Sequence, residues 1–190
     1  MSERFATPPR DGYTPRQREF YDRFTTGPRA DPSAPFRLFD ANGTLTGPPA
    51  VWIVSPEVGF ALAGIGYQMR WGIGFSEQAR EATILAVGHT LESPFELFAH
   101  EPAARAVGLT DEALSAIAAR RIPDDADEQV RTALEVTWEV LETGTLGDAS
   151  YARALAVFGL EQLFQLIALV SYYRMVATQL AVFGIVPPEA

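Results

Sequence analysis

Apolar residues recur along most of this chain at the three- and four-residue spacing that lays one stripe along a helix. Helix starts and stops punctuate the pattern. Thr14-Pro15-Arg16-Gln17 forms a capping box with proline at the first helical position, opening a short helix to about Phe24. Ser55-Pro56-Glu57 opens a helix to about Met69, Ser76-Glu77 one to about Thr90, and Ser93-Pro94-Phe95-Glu96 one stopped by Gly108. Thr110-Asp111-Glu112 starts a helix that ends before Pro123, and another runs over 126–143 with Gly144 behind it. Asp148 is expected to cap a helix to Phe158, and a last helix over 160–182 is apolar nearly all round. Alternation is confined to Val51 to Val54, too short and isolated to build a sheet. The pattern predicts an all-α protein, a single-domain bundle of about seven helices over 13–190. Residues 1–12 form a flexible tail in this reading, and 27–49 an irregular segment anchored by Phe36, Leu38, Phe39 and Leu45.

Composition narrows the functional classes. Hydrophobic residues are 47% and charged residues 21% of 190, the balance of a folded domain. The net charge of −9 lacks the basic footprint for nucleic acid or anionic membrane. Zero cysteines remove disulfides, thiol catalysis and thiolate metal sites together. The amino terminus has no apolar run of signal-peptide type, and charged and amide side chains interrupt the last helix, so a cytoplasmic location is expected. A helix apolar on all sides must be enclosed, and the helix around 79–87 competes for the centre. Part of the last helix is therefore expected to face a second copy of the chain.

Candidate chemistry concentrates in 81–108, which holds both histidines, His89 and His100, with Glu81, Glu92 and Glu96 among apolar residues. Glu96 and His100 stand four apart, on one face of a helix, close enough for proton transfer directly or through one water. On a helical wheel they flank a stripe of Phe95, Phe98, Ala99, Pro102 and Ala106, while Glu81 points inward with Ile84, Leu85 and Gly88. Burial would shift such groups into the range for proton relay near neutral pH. A structural alternative stays open: Ser93 and Glu96 also fit a capping box, in which Glu96 merely satisfies an end amide. His89 either joins the cluster or, as favoured, caps the carboxyl end of its helix with its charge. Arg70 is a candidate grip for a substrate carboxylate, although a surface arginine is the plainer reading. The duplicated Glu-x-x-His spacing of di-iron bundles is missing, so no metal is expected.

The runs Arg80-Glu81-Ala82-Thr83-Ile84-Leu85-Ala86, Ser93-Pro94-Phe95-Glu96-Leu97-Phe98-Ala99-His100 and Gly108-Leu109-Thr110 resemble the carboxymuconolactone decarboxylase family, which includes the alkyl hydroperoxidase D-like proteins. The resemblance is strongest over 75–117. It implies Glu81, Glu96 and His100 as the catalytic group, with the peroxidase branch's two cysteines replaced by Ser93 and Glu96. Those two cannot cycle through a disulfide, so thiol peroxidase activity is not expected. The implied function is a cofactor-free lyase acting on a small carboxylated lactone or related enolisable acid, with Ser93, Arg70 and His89 as substrate-binding candidates. The rival is a non-catalytic oligomeric small-molecule-binding protein. The resemblance alone favours a trimer or hexamer.

Overall fold

The computed structural model describes residues 4–26 and 38–188, which form eight α-helices and no strand. Of the anchors expected over 27–49, Phe36 lies outside the described residues, whereas Leu45 is buried and pairs with Phe39 across a turn held by Asp40. Of the amino-terminal residues, Phe5 packs edge-on against Phe183, and Tyr13 is buried. Helix α1 (Pro15–Thr25) begins with the full Thr14/Gln17 capping box.

The run Val51 to Val54 is not extended. Pro48 and Pro49 open a short helix, α2 (Pro48–Trp52), behind Gly47 at φ 62° and ψ −148°. The prolines set helical φ, and Gly47 supplies the turn into them. Helix α3 (Pro56–Trp71) follows, then α4 (Glu77–Thr90), whose residues Glu81 to Gly88 are all buried. Around this central rod pack α5 (Pro94–Ala106), α6 (Asp111–Ala118), α7 (Glu128–Thr143) and α8 (Asp148–Phe183). Small residues at Ala82, Ala86 and Gly88 let the neighbours approach closely; a Cβ on Gly88 would stand 3.0 Å from Leu97.

Helix α8 breaks at Gly159 (φ 67°, ψ 175°), between the two helices the sequence predicts. Asp148 occupies its first turn rather than its cap, which is Gly147, so the carboxylate acts on the amide dipoles instead of bonding one as a cap. Beyond the break, Leu163, Leu166, Leu169, Val170, Tyr173, Val176 and Leu180 turn inward. Leu160 and Phe164 stay 70% and 72% exposed. By length and hydropathy α8 could cross a membrane, yet one side of it packs on α3, α4 and α7.

Candidate functional site

Helix α5 turns differently from the expected wheel. Phe98 is 43% exposed and Pro102 and Ala106 lie at the surface, whereas Phe95, Glu96, Ala99, His100 and Ala104 are buried. The two polar groups sit in the middle of the inward face rather than on its border. Contact with α4 and α8 selects this face, which the helix's own apolar count could not.

The capping box at Ser93 and Glu96 does not form. Ser93 is the residue before α5, but its side chain bonds no helix amide. Glu96 turns away from the helix end and lines a cavity. Ser93 is buried and does not line that cavity, so its expected contact with substrate is not supported by its placement.

Two helices bring the relay together, and a third lays a ring against it. Glu81 projects from the centre of α4, and its Oε2 lies 2.8 Å from His100 Nδ1. Arg80 holds the other oxygen at 3.1 Å and also donates to the Arg70 carbonyl at 2.7 Å. On the opposite edge of the imidazole, Glu96 Oε2 is 3.6 Å from Nε2, slightly beyond a direct hydrogen bond and within reach after a small rotation. From α8, the Tyr173 ring meets His100 edge-on at a centroid distance of 5.1 Å.

The two carboxyl groups are driven in opposite directions. Burial pushes the Glu81 pKa up, but the hydrogen bond and charge of His100, with Arg80, outweigh it and hold Glu81 below the usual carboxylate range. For Glu96 burial prevails over His100 and Arg70, with Glu81 adding repulsion, so its pKa is raised. Ionised Glu81 can only accept, so His100 Nδ1 donates to it and Nε2 is the ring nitrogen turned toward Glu96. Glu81, His100 and Glu96 thus stand in line, with the raised-pKa carboxyl of Glu96 lining the cavity.

That cavity measures about 70 Å³ and opens between α2, α3, α5 and α8. Trp52, Phe95 and Val176 supply apolar wall, and Arg70, Glu96, His100, Tyr172 and Tyr173 the polar groups. Arg70 therefore lines the site rather than the general surface, and its charge acts on both Glu96 and Tyr173. His89 does not belong to this group. It lines a separate cleft with Glu101, Arg105 and Asp111. Burial lowers its pKa against the pull of Glu101, which weakens the expected role as a charged helix cap. Among the described residues, no group of three or more histidine or carboxylate side chains is placed to hold a metal ion.

Arg80, Trp52 and Tyr173 escaped the sequence reading as site residues. Two adjacent phenols inside an otherwise apolar helix were the available signal for Tyr173, and Arg80 directly precedes the relay glutamate.

The pKa directions give stability a definite pH dependence. Folded Glu96 binds its proton more tightly than an unfolded glutamate, whose pKa is about 4.3. Its contribution is complete below that value and is lost as pH rises through the folded pKa. Glu81 has the opposite sign: its contribution is present above the unfolded pKa and is lost as pH falls through the depressed folded value. Glu96→Gln should therefore flatten the alkaline side of a urea-midpoint profile, and Glu81→Gln the acid side. Parallel profiles for wild type and Glu96→Gln above pH 5 would contradict this assignment.

Comparisons with known proteins agree with this architecture. Residues 56–139 match the carboxymuconolactone decarboxylase family. The fold superposes on the crystal structure of an alkylhydroperoxidase AhpD core, an uncharacterized peroxidase-related protein from Ralstonia eutropha JMP134. The TM-score is 0.74 at 14% identity, over 98% of this chain and 92% of that one. No curated protein matches the sequence. The segment that carries Glu81, Glu96 and His100 thus matches the carboxymuconolactone decarboxylase family, on an alkyl hydroperoxidase D-like fold without cysteine.

Proposed function

We propose that this protein is a cofactor-free lyase that decarboxylates a small carboxylated lactone or related enolisable acid. The observation that carries the reading is the Glu81–His100–Glu96 line ending in a raised-pKa acid at the wall of a largely apolar cavity. Arg70 is placed to pair with the substrate carboxylate. The bond to that carboxyl group breaks, CO₂ leaves, and the electron pair passes into the conjugated carbonyl as an enolate. Protonated Glu96 then delivers its proton to carbon, forming the new C–H bond. His100 Nε2 takes a proton from solvent, its cation stabilised by Glu81, and returns it to Glu96. One solvent proton is consumed for each CO₂ released.

A panel of carboxylated lactones, screened by thermal shift and then by CO₂ release, tests the reading. A true ligand raises the unfolding temperature with concentration over its Kd. Stabilisation without CO₂ release from any member would favour the non-catalytic binding protein instead.

The exposed strip of α8 supports a homo-oligomer, because its apolar residues face outward while the opposite side is already packed. Light scattering is expected to give a multiple of 20.8 kDa, with a trimer or hexamer favoured. Glu substituted at both Leu160 and Phe164 should shift the mass toward the single chain. A wild-type mass of one chain at micromolar concentration would refute this.

A further inference from the structure

Tyr173 is the group in the cavity wall that the proton relay leaves unused. The residue is 5% exposed, stands against His100 and lines the same cavity as Glu96 and Arg70. Its hydroxyl forms no hydrogen bond with another described residue. The oxygen is not sealed in as Thr83 Oγ1 is, and the residue lines the cavity. The neighbouring Tyr172 differs: its hydroxyl donates to the Leu62 carbonyl at 3.3 Å. Buried hydroxyls in folded proteins nearly always find a partner, and one left open toward a cavity points to a ligand atom.

Chemistry says which atom. Burial pushes the Tyr173 pKa well above the ordinary phenol value; Arg70 pulls it down, while Glu96, Glu81 and Tyr172 push it further up. The phenol stays protonated at any working pH and acts as a donor. A donor already in place, in a low-dielectric cavity walled by Trp52, Phe95 and Val176, is worth most against a negative oxygen. The Arg70 charge, which reaches Tyr173, favours an anion there. The 70 Å³ volume limits the occupant to a small one.

We propose that the Tyr173 hydroxyl is an oxyanion donor, which makes the cavity selective for small planar anions of enolate type. The catalytic meaning rests on the lyase reading: Tyr173 would hold the enolate oxygen while Glu96 protonates carbon. The binding claim needs no turnover. The probe is the nitronate of nitroethane, planar with its charge on oxygen, compared by calorimetric titration with neutral nitroethane. Wild type should prefer the nitronate, and Tyr173→Phe should lose roughly 10- to 100-fold of that preference, the range for a hydrogen bond to a charged group. Nitroethane binding should stay unchanged, which shows that the cavity is intact. Tyr172→Phe should keep the preference, since its hydroxyl is already engaged. Equal affinity of wild type for both forms, or an undiminished preference in Tyr173→Phe, would overturn the proposal. Nitronate selectivity without turnover of any lactone would sink the lyase reading and leave this site standing. Turnover without selectivity would do the reverse.

Discussion

His100→Gln is expected to lower turnover by roughly 10²–10⁴-fold while leaving the fold in place, the loss typical of a missing acid/base group. Glutamine keeps the size and one donor, so Glu81 retains a partner beside Arg80. What disappears is a nitrogen that can take a proton on one edge while the other edge is held by a carboxylate. Glu96→Gln should cost a similar factor, because an amide cannot deliver a proton to carbon. A capping effect cannot account for such a loss, since Glu96 takes no part in the start of α5. The double variant should lose little beyond either single one, as groups in one relay act as a unit. Steady-state rates on the first substrate found check all three. Full activity in both single variants would remove the mechanism.

Gly47→Ala should lower stability by about 3 kcal/mol, combining a backbone conformation reserved for glycine with overpacking of a core ring. At φ 62° and ψ −148°, a Cβ on residue 47 would fall 2.1 Å from the Phe95 ring. Phe95 is buried and forms part of the cavity wall, so it cannot retreat without disturbing the site. The thermal midpoint should drop by roughly 6–12 °C, at about 2–4 °C per kcal/mol for a chain of this size. Gly12→Ala is the control, since nothing lies within 4 Å of a Cβ there. Equal midpoints for both variants would show that the Gly47 turn relaxes freely.

Local signals made most of the architecture readable. The Thr14/Gln17 box, the Ser76 and Thr110 caps, the stop at Gly144 and the break at Gly159 are features set within a few residues. Local chemistry decides these, so spacing and residue type suffice. The Glu96/His100 pair was also legible, because a four-residue separation on a helix is a local fact. Its link to Glu81 came from family resemblance rather than from spacing.

Tertiary packing decided the remainder. Whether Glu96 capped a helix or faced a cavity had no local answer, since both uses need the same residues at the same spacing. Contact of α5 with α4 and α8 rotated the pair into the core and placed Glu96 on the cavity. His89 lies eight residues from Glu81 on one helix, yet it faces a different cleft because α5 and α6 close around it. Arg70 and Tyr173 stand more than a hundred residues apart and meet only where α3 and α8 pack side by side. The sequence by itself determined where the helices begin and end and which acid/base groups they carry. Only the packing of the helices could decide which groups face one another and how far each carboxyl pKa moves, because burial and charge act through space rather than along the chain.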